Sequence, residues 1–195
     1  MKVLSILAVF LFVGCNAVSE QGRPVSFWES QKAKFRYQNK KEFVCDSTLR
    51  ADLKAKAFTA FRHPLFKSIA SDTCYLYSWQ ERDTSKNEFV ILKDAGERGV
   101  QLIYYILDKK DNLLSRTKVA GRGGEGEYFF ETQSKFKSRD TLSKFAAQTQ
   151  WYNADSSRKM TPTKGDSSFS YLAVDKNGTV METVFKEVQE LHSGK

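Results

Sequence analysis

The chain reads as an α+β protein in which an antiparallel β-sheet meander of six to eight strands packs against one or two N-terminal helices. Three observations predict this. Leu49, Leu53, Ala57 and Phe61 fall on one helical face behind a capping Asp46-Ser47. From Thr73 onward the chain turns aromatic, β-branched and alternating, in apolar runs separated by turn residues. Asn177-Gly178 then sits between two such runs, the strongest short hairpin signal in the chain.

Taken in order, the chain opens with a basic Lys2. A run from Val3 to Val13 follows, apolar apart from Ser5 and closed by Gly14-Cys15, the layout of a secretory signal. The run falls short of the roughly 20 apolar residues that a membrane-spanning helix needs. Asn16 to Val25 is polar, with Gly22 and Pro24, and reads as a tether. The expected organisation is therefore a signal over 1–14, a tether over 15–25 and one globular domain over 26–195. Ala33, Phe35 and Tyr37 alternate with Lys34 and Arg36, a weak strand signal, and a helix from Ser26 to Tyr37 is the alternative. The helix from Ser47 should end near His63, because the residue before Pro64 is driven out of helical geometry.

Strands are expected at Cys74–Trp79, Phe89–Leu92, Val100–Leu107, Leu113–Ala120 and Tyr128–Thr132, with Gly121–Gly126 as a flexible hairpin loop. Asp140–Gln150 fits either a short helix or a strand. Residues 153–168, with Pro162 and Gly165, read as a mobile loop. Ser170–Val174 and Thr179–Val184 form the closing hairpin, and Phe185–His192 continues as strand or helix.

Composition supports folding: 41% hydrophobic and 13% aromatic residues are too many for a disordered chain. The net charge of +8 is unevenly placed. Residues 21–67 hold 11 Lys and Arg against 4 Asp and Glu, whereas residues 68–195 hold 19 against 18. The basic surplus thus lies just after the apolar start. It suits either attraction to an anionic leaflet or a solvated helix face. Nothing in the chain forms a nucleic-acid-binding motif, so no nucleic-acid partner is expected.

Phe12-Val13-Gly14-Cys15 resembles the lipobox of bacterial lipoproteins, with Phe12 where Leu is usual. The resemblance implies cleavage before Cys15, diacylglycerol on its thiol and usually a further acyl chain, of the palmitate kind, on the new amino terminus. Asn16, in place of Asp, then implies the outer membrane rather than the inner one. The competing reading is a plain signal cut after Ala17, which would release a soluble periplasmic or secreted protein. With Cys15 acylated, Cys45 and Cys74 remain as an even pair in an oxidising compartment and read as a disulfide. Two buried thiols are the alternative.

Chemistry-bearing motifs are weak. The SxxK pattern of penicillin-binding enzymes occurs at Ser115-Lys118, Ser134-Lys137 and Ser156-Lys159, without the KTG and SDN elements that such sites need. Gly121–Gly126 lacks the GK[ST] of a phosphate loop. Asp175, Asn177 and Glu182, like Asp108 and Asp111, are turn residues rather than calcium ligands. His63 and His192 lie outside any nucleophile motif. Trp28, Tyr75, Tyr77, Trp79, Tyr104, Tyr105 and Trp151 suit the core better than a ligand platform. No catalytic residue, metal ligand or cofactor is expected.

The functional expectation is a lipid-anchored envelope lipoprotein that binds or scaffolds, with the membrane and either an envelope protein or peptidoglycan as partners. A carrier of an apolar ligand and a small secreted hydrolase are the alternatives. The first of these requires an empty apolar cavity, and the second a Ser or carboxylate gathered beside a base such as His63.

Overall fold

The structure is a computed structural model that describes residues 26–66, 73–125, 128–153 and 160–191. One mixed ten-stranded sheet dominates it. Two short strands, β1 (Tyr37–Gln38) and β2 (Glu42–Phe43), come first. Eight longer ones follow: β3 (Thr73–Gln80), β4 (Asn87–Asp94), β5 (Val100–Leu107), β6 (Leu113–Glu125), β7 (Tyr128–Phe136), β8 (Thr141–Asn153), β9 (Met160–Val174) and β10 (Val180–Leu191). Strands β3 to β10 pair in chain order, each antiparallel to the last. The count exceeds the six to eight expected. The additions are β1, which runs parallel to β3, and β2, which pairs with β7 where β6 has left it. Two short α-helices are present, α1 (Phe27–Ser30) and α2 (Ser47–Lys54). Among the described residues no helix is long and apolar enough to cross a membrane.

Strands β4 and β5 are buried on both faces, which is why their sequences are continuous apolar runs rather than alternating ones. On one face Val90, Leu92, Leu102, Tyr104 and Ile106 pack with Phe43, Leu49, Phe58, Tyr77, Leu142 and Leu172. On the other, Phe89, Ile91, Tyr105 and Leu107 pack with Trp28, Phe35, Leu76 and Trp79. Trp28 stacks on Phe89 at 4.4 Å between ring centroids. A four-residue helix has no stability of its own. Helix α1 persists because Ser26 caps it, accepting from Glu29 N, and because Trp28 is anchored in this outer cluster.

The helix expected over 47–62 stops at Lys54. Asp46 caps it as expected, its carboxylate accepting from Leu49 N at 2.9 Å. Lys56 then takes a φ of 54°. Beyond it the chain lies along β3: Phe61 N donates to Cys74 O, Leu76 N donates to Thr59 O, and Ala60 bridges to Tyr75. Phe58 enters the inner cluster while Phe61 packs against the outer one. Helical spacing would have put those two rings on neighbouring positions of one face. Serving both faces of β3 requires extended chain.

Two expected loops are strands. Residues 160–168 belong to β9, and Gly121–Glu125 continue β6. The glycines serve close approach rather than flexibility, because a Cβ on Gly123 would collide with the Arg98 carbonyl oxygen. Asp140–Gln150 resolves into the start of β8, and Phe185–Leu191 into β10. The expected Asn-Gly hairpin joins β9 to β10. Gly178 there has a φ of 84°, and Asp175 Oδ1 accepts from Asn177 N and Thr179 N at 2.8 Å each.

The odd-numbered hairpins gather at one end of the sheet. Arg82, in the turn after β3, reaches across this end. Its Nε donates to Glu88 at 3.0 Å and its Nη2 to Tyr104 Oη at 2.6 Å, and a third nitrogen reaches Arg139 O. Tyr104 donates in turn to Glu88, whose side chain is 2% exposed, and the guanidinium lies 4.0 Å from the Phe136 ring centre. Burial first, then the Glu88 charge, hold the Tyr104 hydroxyl well above its usual pKa. Removing one partner strands the other in the interior. Glu88→Ala should therefore cost about 3–5 kcal/mol in urea unfolding, and a loss below ~1 kcal/mol would mean that the pair is screened by solvent.

Cys45 and Cys74 are both buried, but Cys45 belongs to the inner cluster and Cys74 to the outer one, on opposite faces of β3–β5. No bridge joins them in this structure, and side chains on opposite faces of a strand point apart, which disfavours one. Burial, aided by Asp46, pushes the Cys45 thiol up to about 12. The fold thus points to the alternative of two buried thiols. Alkylation in denaturant without reductant should modify both cysteines, while the folded protein should leave Cys45 unlabelled; protection of the pair in denaturant until reduction would restore the disulfide.

Candidate functional site

Strand register builds one face of β7–β10 row by row. Phe136, Leu142 and Leu172 lie side by side near the hairpin end, with Val174 opposite Val180 beyond them. These residues belong to the inner cluster or pack against it. Two residues further along each strand the same face carries Ser134, Lys144 and Ser170, then Thr132, Ala146, Ser168 and Glu187, then Phe130, Gln148, Asp166 and Gln189. The face thus changes from apolar to polar along its length. The period-2 alternation is kept throughout, so these polar side chains point to the side on which Leu142 and Leu172 are buried.

The first polar row is internally satisfied. Glu182 receives Lys144 Nζ at 3.0 and 3.2 Å and Ser170 Oγ at 2.6 Å. Burial alone would raise the Glu182 pKa. The Ser170 hydroxyl and the Lys144 ammonium outweigh it, and the carboxyl ends below its usual value.

The next two rows line a groove of about 380 Å³ together with Lys118 from β6. That size is within the range of small-ligand sites. Lys118 lies against Phe130, its Nζ 4.9 Å from the ring centre. Gly121 leaves the room for this: a Cβ there would meet Phe130 at 3.3 Å and the Lys118 stem at 3.4 Å. Burial, and then repulsion from Lys144, lower the Lys118 pKa. Among the described residues no carboxylate forms an ion pair with Lys118. Ser134 Oγ is buried without a hydrogen-bond partner at the inner margin. The groove therefore offers the Lys118 ammonium, the Asp166 and Glu187 carboxylates, hydroxyl and amide donors and acceptors, and a small floor at Ala146.

The sites singled out from the sequence are dispersed. Cys15, the signal and the Ser156-Lys159 pair lie outside the described residues. Ser115 stands opposite Ile106 and Lys118 opposite Ile103, on different faces of β6, so that pair cannot act together. His63 stacks on Phe27 at 5.2 Å, and its Nδ1 accepts from Leu65 N at 3.1 Å. Its pKa is lowered by burial, with Asp111 opposing. The Asp111 oxygens are taken by Phe27 N and Asn87 Nδ2, and among the described residues no serine hydroxyl bonds the imidazole. Trp28, Tyr77, Trp79, Tyr104 and Tyr105 are core residues. The inner cluster is filled by side chains, many of them fully buried. A depression of about 400 Å³ beside Arg82 and Phe136 is walled by the network that closes that end.

Sequence reading met Lys118 only in a dismissed SxxK pattern and missed Thr132, Gln148, Asp166, Ser168 and Glu187. The signal for Gln148, Asp166 and Ser168 is polar alternation across 142–148 and 166–172, which turn-prone Gly165 and Pro162 disguised as loop.

Comparison with family models, curated proteins and solved structures finds no match for the chain. The functional reading rests on the residues themselves.

The Glu182 network has a pH signature. A carboxyl whose pKa is depressed on folding contributes stability above its unfolded value of about 4.3, and that contribution fades as pH falls through the folded value. Glu182→Gln should thus be less stable than the parent at pH 7, with the gap closing below about pH 4. An unchanging gap across chemical denaturation from pH 7 to 3 would show that the ion pair contributes nothing.

Proposed function

We propose that the protein is a lipid-anchored module of the cell envelope that binds a polar ligand without transforming it. The observation that carries the binding part is the groove beside Lys118, where hydroxyls, amides, the Lys118 ammonium and the Asp166 and Glu187 carboxylates converge on a site large enough for a small molecule. Among the described residues around it no nucleophile is hydrogen-bonded to a base, the arrangement that covalent catalysis requires. The anchor part is supported by the resemblance of Phe12–Cys15 to a lipobox and by the basic surplus that follows. The groove suits a ligand with hydroxyls, amides and a carboxylate, the chemistry of peptidoglycan fragments.

The test uses the full chain purified from membranes in detergent. Its intact mass should correspond to a start at Cys15 plus acyl chains, and Cys15→Ser should leave the membrane fraction while keeping its fold. A start at Val18 without lipid would overturn the anchor. In calorimetric titration, soluble muropeptides should bind saturably, and Lys118→Met, which keeps the apolar stem, should weaken them at least tenfold. No binding, or equal binding by Lys118→Met, would sink the groove as the site.

A further inference from the structure

The end of the sheet where the chain enters has the composition of a membrane-facing surface. Ser26, the first described residue, is held there: Asn87 Nδ2 donates to Ser26 Oγ at 2.6 Å, and Phe27 N donates to Asp111 Oδ2 at 2.8 Å. The hairpins after β3, β5, β7 and β9 all close at this end. Three large apolar side chains stand in solvent here, Phe27 at 44%, Leu113 at 42% and Leu114 at 40% exposure. The β9–β10 turn belongs to the same surface, since a Cβ on Gly178 would meet Leu114 at 2.9 Å.

The turn charges divide by sign. Asp108 accepts from Lys110 N and Asn112 N, Asp175 from Asn177 N and Thr179 N, and Asp83 from Ser85 N. Their carboxylates are folded back onto the chain. Lys110, Lys137 and Lys176, from three different turns, are exposed and form no ion pair among the described residues. Three lysines thus project from the end without an ion pair among the described residues, while Asp83, Asp108 and Asp175 are held by backbone amides and Asp140 stays exposed near Lys137.

We infer that this end docks on anionic lipid headgroups, with Lys110, Lys137 and Lys176 against the charges and Phe27, Leu113 and Leu114 at the interface. Three things select a lipid surface as the occupant. The charge is complementary. The apolar side chains are few and scattered among lysines, as suits an interface rather than a protein groove. Ser26 lies at this end, and the eleven residues from Cys15 to Val25 that precede it span no more than about 40 Å at full extension. The inference rests on the anchored reading for its orientation, but the surface can be tested without the lipid.

Every described element lies within 26–191, so a chain beginning at Asn16 contains all of them, and its circular dichroism is first matched to that of the full chain. Its partition onto phosphatidylglycerol vesicles should be measured by co-sedimentation against phosphatidylcholine vesicles, at low and high salt. Binding should need the anionic lipid and fall with salt. At about fivefold per lysine, the triple variant Lys110→Gln, Lys137→Gln, Lys176→Gln should bind roughly a hundredfold more weakly. The matched variant Lys56→Gln, Arg122→Gln, Lys186→Gln, altered elsewhere on the surface, should stay within about threefold of the parent. Absence of binding, indifference to headgroup charge, or an equal loss in the matched variant would each overturn the inference. Localisation of Cys15→Ser tests the anchor separately, so vesicle binding that survives a failed anchor would leave this surface standing.

Discussion

The two-sided burial of β4 and β5 is the constraint on which the rest depends. A strand buried on both faces needs cover on both, and one curled sheet can supply only one layer. The far half of the sheet covers the inner face through Leu142, Leu172 and Val174. The outer face must be covered by whatever chain remains, which is the N-terminal segment with Trp28, Phe35, Phe61 and Phe66. Burying such side chains is worth about 1.5–3 kcal/mol each. That exceeds the differences in helix propensity, at most about 0.7 kcal/mol for ordinary residues. Cover therefore decides the conformation of residues 26–66, and propensity does not.

This explains which parts of the fold were legible. The runs at 74–79, 89–92 and 100–107 read as strands because burial leaves them almost wholly apolar, with only Ser78 and Gln101 polar, and the Asn177-Gly178 turn is local chemistry. Helix α2 was legible at its start, where Asp46 acts on its own neighbours, and illegible at its end. There the competing partner is the edge of β3, which lies remote in sequence. Thr59 and Phe61 bond with residues 74–76, and no window of local periodicity contains that information. The disulfide expectation met a limit of the same kind. Parity in a cysteine count carries no record of which face of a strand each thiol occupies.

The groove was illegible for a different reason. Strand detection looks for alternate apolar residues facing a core, and the second half of β8 and the first half of β9 present Lys144, Gln148, Asp166 and Ser168 to the inner side. Such a pattern imitates a loop. It is tolerated because the strands are held elsewhere: their far ends are clamped by Leu142 and Leu172, and thirteen register pairs join β8 to β9 along their length. Backbone pairing can thus carry a polar face that side-chain packing would not, and the inward side there is available for recognition.

The polarity gradient also gives the molecule a direction. From Thr141, beside the hairpin end, to Gln148 in the groove is seven residues of strand, roughly 23 Å at the rise of an antiparallel sheet. Ser26 enters at the hairpin end, so a tether emerging there leaves the groove on the far side of the packed core. A ligand site close to the anchor would compete with headgroups for the same lysines. Here Lys118, beside Phe130 and Ala146, and the hairpin lysines lie toward opposite ends of the strands, and neither set can serve both surfaces at once. Under the proposed anchoring, the apolar half of the sheet would act as a spacer as well as a core, with one end toward the membrane and the other facing away from it.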